Sequence, residues 1–181
     1  MIPHVTKQIK DKFSGDGVKV IEVGGTVGDI ENMLYLEALR QLRRENNICH
    51  IHVTLVPYLE TTGELKTKPT QHSVKELREA GLQPDIIVGR SEKELDEETK
   101  EKIALFCDVE EREVISNPDL DSVYKIPLKF KNQDVDGIVQ GKLGLRKKDV
   151  RLEKWRELVE NMDNGTVARI AICGKYTGMD D

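Results

Sequence analysis

The chain has 181 residues, enough for one substantial core or a core with an appendage. Its 38% hydrophobic and 34% charged residues include no apolar run near the ~18 residues that suggest a membrane span. A net charge of -5, 4% aromatic residues and no basic stripe disfavour extended nucleic-acid binding. No membrane and no nucleic acid are therefore expected as partners, and any anionic ligand is small and held locally.

The opening MIPHVTKQIKDKF has neither a long apolar core nor a small-residue cleavage site, which argues against a secretory signal and for a cytoplasmic protein. In chain order, VKVIEV (18–23) predicts a strand, and IENMLYLEALRQLRREN (30–46) a helix with apolar residues around more than one face. CHIHVTLV (49–56) predicts a strand, and PTQHSVKELREAG (69–81) a helix closed by Gly81. PDIIVGR (84–90), LDEETKEKIALFCD (95–108) and REVISN (112–117) continue as strand, helix and strand. From about 131 to 165 the sequence is charged and glycine-dotted, with one helix expected around Trp155, before a final strand VARIAICG (167–174). This alternation predicts an α/β fold, a three-layer parallel sheet with helices on both faces. The near-continuous apolar PDIIVG and ARIAIC suit strands buried on both faces. Cys49, Cys107 and Cys173 are widely spaced in apolar contexts and are expected to be buried thiols rather than bridges or zinc ligands.

Two stretches carry chemistry. In EVGGTVGDIE (22–31), Gly24, Gly25 and Gly28 let the backbone approach a ligand, and Asp29 is placed to cap the helix that follows. A carboxylate beside phosphates is repulsive unless a cation lies between, so Glu22 at a strand end suits a Mg²⁺ ligand. The same residues also suit a strand ending in solvent and an ordinary turn, because GGTVG lacks the Gly-Lys-Ser/Thr of a Walker loop. In GELKTKPTQHSVKEL (63–77), Lys66 and Lys68 precede Pro69, a favoured first-turn residue, and Thr70, Gln71 and Ser73 add donors at a helix mouth. That is an anion cradle; a solvated loop before an ordinary helix start is the alternative.

EVGGTVGDIE, TLVPY, GELKTKPTQHSVKEL, PDIIVGRS, KIALFC and DSVYKIP together, in this order, closely resemble the synthetase (amidoligase) domain of the CTP synthase family, whose fold is P-loop NTPase-like. The resemblance covers residues 2–130 and continues more loosely to 181. It implies an ATP-dependent C–N ligase of pyrimidine biosynthesis. ATP, with Mg²⁺, phosphorylates the 4-oxygen of UTP, and ammonia from a glutaminase domain displaces phosphate to give CTP. CTP is also the family's feedback inhibitor, and the family assembles as homotetramers.

Carried over by position, Glu22 falls on the family's Mg²⁺ ligand, and Asp29, Ile30 and Glu31 on the segment associated with the pyrimidine nucleotide. Lys66, Thr67, Lys68, Pro69, Thr70 and Gln71 fall on the UTP/CTP phosphate run, and Lys102 on a basic residue serving the same nucleotide; alone, Lys102 reads as a helix-surface lysine. Pro118, Asp119 and Leu120 fall near the ATP adenine. Asp29 and Glu31 are expected to read the base, since a carboxylate accepts from the exocyclic amine of cytosine but not from a uracil carbonyl.

The sequence also departs from the family pattern. The glycine-rich ATP loop ending in Gly-Lys-Gly and the aspartate after it are not found, and ARIAICGKY resembles the first strand of the glutaminase domain without its nucleophile turn. Cys173 is not that nucleophile. The expectation is an internal fragment lacking the first strands: a partial synthetase domain over 1–145, a linker helix region over 146–166 and the start of a glutaminase domain over 167–181. By itself it is expected to be inactive. The alternative is a non-catalytic pyrimidine-nucleotide-binding or oligomerisation module.

Overall fold

A computed structural model describes residues 2–13, 15–162, 171 and 173. The chain divides into two units, residues 1–150 and 151–181.

In the first unit, three strands form a parallel sheet. β1 (Ile51–Leu55), β4 (Ile86–Ser91) and β5 (Val114–Pro118) lie in the order β1-β4-β5, with Val53 opposite Val88 and Val88 opposite Ile115. Parallel neighbours need crossovers, which the helices supply. α3 (Lys68–Glu79) connects β1 to β4, and α4 (Glu97–Cys107) connects β4 to β5. A small antiparallel hairpin, β2 (Tyr58–Leu59) and β3 (Glu64–Leu65), stands between β1 and α3. α1 (His4–Phe13) and α2 (Met33–Leu42) precede the sheet, and α5 (Ile126–Asn132) and α6 (Val135–Lys142) follow it.

Both faces of the sheet are covered, as the alternation of elements predicted. On one face Val56, Ile87 and Val114 pack with Val74 of α3 and with Ile103, Ala104 and Cys107 of α4. On the other, Ile86, Val88 and Ile115 pack with Ile138 of α6 and with Phe130 of α5. β4 is therefore buried on both sides, which accounts for the unbroken IIV. β1 is at the sheet edge and alternates, with His52 and Thr54 buried and Ile51, Val53 and Leu55 exposed.

Local signals explain the helix ends. After α3, Gly81 has φ +79°, its N–H donates to Arg78 O, and Leu82 N–H donates to Leu77 O. This is a Schellman closure whose apolar contact, Leu82 with Leu77, belongs to the core shared with Leu36 of α2. α4 begins at Asp96, whose carboxylate accepts from Thr99 N–H at 2.8 Å.

Several expectations need correction. VKVIEV (18–23) forms no strand: it is irregular chain outside any ladder, with Val20 96% exposed. Its apolar pattern is local, whereas a strand exists only where a neighbouring edge accepts its hydrogen bonds. The helix expected over 30–46 is shorter, Met33–Leu42. Asp29 does not cap it; Asn32 precedes the helix without a side-chain capping bond, while Asp29 Oδ2 accepts from Thr26 N–H at 3.4 Å inside the loop. Cys107 is buried as expected, Cys49 is half-buried and Cys173 is exposed. α6 was not legible, because Gly137 and Gly141 weaken its pattern.

The second unit contains α7 (Glu153–Met162), the helix expected around Trp155. The strand expected over 167–174 lies outside the described residues apart from Ala171 and Cys173, neither of which is assigned to one. Among the described residues no helix is long and apolar enough to cross a membrane.

Candidate functional site

In open α/β sheets, ligands bind beyond the carboxyl ends of the strands. At that rim β1 runs into the hairpin, and Lys66 N–H donates to Pro57 O, which anchors the chain just ahead of α3. Thr67 stands at the N-cap position in helical conformation with no side-chain capping bond, and Pro69 lies in the first turn. The Thr67 hydroxyl instead accepts from Gln71 Nε2 at 2.9 Å. The helix mouth is thus uncapped by side chains, and its amides and dipole favour an anion.

Two lysines, Lys66 and Lys68, stand at this mouth. Lys66 pairs with Glu64 of β3, and that hydrogen bond, aided by Lys66 and Lys102 charges, holds the Glu64 carboxyl below the usual range. Lys68 Nζ lies 5.7 Å from the centre of the Phe106 ring, on α4. Lys66 and Lys68 thus stand at the mouth of α3, and α4, which carries Lys102, packs beside it through Phe106. The hairpin that delivers Glu64 and Lys66 escaped the sequence reading; its signal is Thr61-Thr62-Gly63, with Gly63 at φ +66°. It is tied to the loop after β4, where Lys93 Nζ sits 3.6 Å from the centre of the Tyr58 ring.

The acidic loop lies elsewhere on the same helix. Val27 packs with the cluster of Leu36, Leu77 and Leu82, and a Cβ at Gly28 (φ +100°) would lie 2.8 Å from Glu76 Oε2. Gly25 has φ +81° and lies against Asn32, whose Nδ2 donates to Thr26 O at 2.9 Å. The loop therefore abuts the C-terminal part of α3, about eight residues or ~12 Å along the axis from the cradle. Glu22, Asp29, Ile30 and Glu31 are all exposed. Among the described residues no three His, Cys, Asp or Glu side chains are grouped to hold a metal ion. Pro118, Asp119 and Leu120 lie at the carboxyl end of β5, where Asp119 N–H donates to Ser91 O at 2.8 Å. They share the sheet rim with the cradle but are separated from it by β4.

A further polar group lies beneath the cradle. His52 and Thr54 of β1 face α3: His52 Nε2 is 2.9 Å from Ser73 Oγ, and Thr54 Oγ1 donates to Thr70 Oγ1 at 3.4 Å. Thr70 Oγ1 also donates to Leu55 O at 3.3 Å. Burial, with the His50 charge as a lesser cause, lowers the His52 pKa to about 4.

Comparison with known proteins identifies the family. The family described as "CTP synthase N-terminus" matches residues 1–145. The chain is 50% identical over 191 residues to the CTP synthase of Carboxydothermus hydrogenoformans, covering 100% of this chain and 36% of that protein. It is 50% identical over 189 residues to the CTP synthase of Maridesulfovibrio salexigens (100% and 35%), and 46% identical over 191 residues to that of Bacillus licheniformis (100% and 36%). The chain thus spans about a third of the length of the curated relatives it matches, and over that span it belongs to the CTP synthase N-terminal family.

Proposed function

We propose that this chain supplies the pyrimidine-nucleotide side of a CTP synthase, holding the triphosphate of UTP, or of CTP as inhibitor, at the mouth of α3. The observation that carries this reading is the pair Lys66 and Lys68 at a helix N-terminus uncapped by side chains, at the carboxyl rim of a parallel sheet and beside α4, which carries Lys102. Thr67 and Gln71 supply further polar groups, with Pro69 setting the first turn and Thr70 bonding the helix end to β1 from beneath. The loop carrying Asp29, Ile30 and Glu31 lies along α3 at a distance suited to a base whose phosphates sit at the helix mouth.

Glu22 fits a Mg²⁺ ligand of the usual kind, since the ion commonly takes one or two carboxylates, with substrate phosphates and water completing its shell. When bound, that ion would offset charge on the transferring phosphates. Pro118, Asp119 and Leu120 are proposed to flank the adenine of ATP. Formation of CTP through a phosphorylated 4-oxygen and ammonia is proposed for a protein in which this chain works with a glutaminase domain, in the cytoplasm and as a homotetramer. Exposed Ile30, Met33 and Tyr35 are available for self-association.

Calorimetric titration of the chain with UTP, CTP and GTP, with and without Mg²⁺, tests the reading. Binding of UTP and CTP but not GTP is expected, tighter with Mg²⁺. Equal affinity for all three, or none for any, would remove the nucleotide site from this region.

A further inference from the structure

The geometry points to His52 as a positioning residue for the phosphate cradle, acting through Ser73; the inference rests on the nucleotide reading above. The sheet face under α3 is apolar where β4 and β5 meet the helical layer, at Ile87 and Val114. Level with them β1 presents His52 to α3, 6% exposed, while Thr54, 9% exposed, lies one row on, level with Gly89 and the buried Ser116. Such positions ordinarily hold Val or Ile, and a polar group there is unfavourable unless it is paired.

The pairing is what distinguishes the site. Apolar packing fixes a helix loosely in rotation and along its axis, whereas hydrogen bonds have preferred directions and lengths. His52 Nε2 meets Ser73 Oγ at 2.9 Å, and Thr70, one turn nearer the helix mouth, binds both Thr54 Oγ1 and Leu55 O. These three contacts fix the helix end at the carboxyl end of β1, next to the Lys66 N–H to Pro57 O bond. His52 is the longest of the strand's polar side chains and the one that reaches the second turn. Its ring is in turn packed edge-on to His50, with centroids 6.4 Å apart and planes at 86°. The cradle Lys66–Gln71 thus sits on a helix end whose placement is set by directional bonds.

The test uses the whole chain in four forms: parent, His52→Leu, His52→Gln and Ser73→Ala. Glutamine retains a polar group near the Nε2 position; leucine does not. Backbone amide exchange is followed across α3 and β4, and UTP affinity is measured on the same samples. His52→Leu and Ser73→Ala should each speed exchange at residues 70–73 at least tenfold while β4 amides stay within a factor of two, and each should weaken UTP fivefold or more. His52→Gln should recover both to within about twofold. If exchange in α3 and β4 rises in step, or if glutamine does no better than leucine, His52 is a core residue only and the proposal fails. It also fails if the helix mouth loosens but UTP affinity is unchanged. A parent chain that binds no UTP would refute the nucleotide reading instead, and the exchange pattern alone would then decide whether His52 positions the helix end. Should His52→Leu not fold, Ser73→Ala carries the same test.

Discussion

Lys68 is the residue at which the nucleotide reading is most exposed to refutation. Its ammonium lies 5.7 Å from the centre of the Phe106 ring, and Phe106 is 51% exposed. A triphosphate at the mouth of α3 must draw Lys68 away from that ring. A hydrogen bond to a charged group contributes about 1.5–3 kcal/mol. The exposed cation–π contact given up is worth about 0.5–1 kcal/mol. The difference, roughly 1–2 kcal/mol, corresponds to about 5- to 30-fold weaker UTP binding in Lys68→Ala. Phe106→Ala removes only the competing contact and should act in the opposite direction, tightening UTP by roughly 2- to 5-fold. Both affinities are read by calorimetry at low and moderate salt, and Lys68→Ala should also lose part of the salt dependence. If Lys68→Ala binds UTP within twofold of the parent and Phe106→Ala changes nothing, Lys68 is a solvated surface lysine and the cradle is wrongly placed.

Three further outcomes are expected. Glu31→Gln should shift the CTP-to-UTP affinity ratio toward UTP by roughly tenfold, as a charge-assisted acceptor for the cytosine amine is lost; an unchanged ratio, measured by competition, would remove Glu31 from base recognition. A Cβ on Gly89 would lie 2.8 Å from Leu95 Cδ1 and 3.0 Å from Val56 Cγ2, so Gly89→Ala should overpack the core by about 1–3 kcal/mol and lower Tm by roughly 2–12 °C, with an unchanged Tm contradicting the packing. With His52 lowered from 6.5 to about 4, the unfolded chain binds a proton in that interval that the folded chain does not, so this stability is full above pH ~6.5 and lost as pH falls toward 4. At ~1.4 kcal/mol per unit it amounts to at most about 3.5 kcal/mol, and denaturant unfolding of His52→Gln should show a flatter slope across that window; equal slopes would contradict the assignment.

The sequence was most legible where structure is local. Gly81 announced the end of α3 because a Schellman closure requires a left-handed residue there, and Asp96 opens α4 through a bond three residues away. β4 was readable because burial on both faces leaves an unbroken apolar run. VKVIEV was misread for the complementary reason, since its pattern is a strand's but its ladder partner is a tertiary matter. α6 was hidden by two glycines that tertiary packing of Ile138 overrides. In the candidate site, Lys66 and Lys68 were readable as a pair, while Lys102 has its place through the resemblance. Phe106 and His52 gave no sign in sequence, because a ring beside a lysine and an imidazole beneath a helix are relations across elements.

The most direct test of the central claim is an amide-shift titration of the isotopically labelled chain with UTP and Mg²⁺. The account predicts that residues 66–71, Lys102 and residues 29–31 shift together along one saturation curve, and that Lys68→Ala moves that curve to higher UTP. Shifts confined to other parts of the chain, or cradle and loop residues following different curves, would contradict a single pyrimidine-nucleotide site along α3.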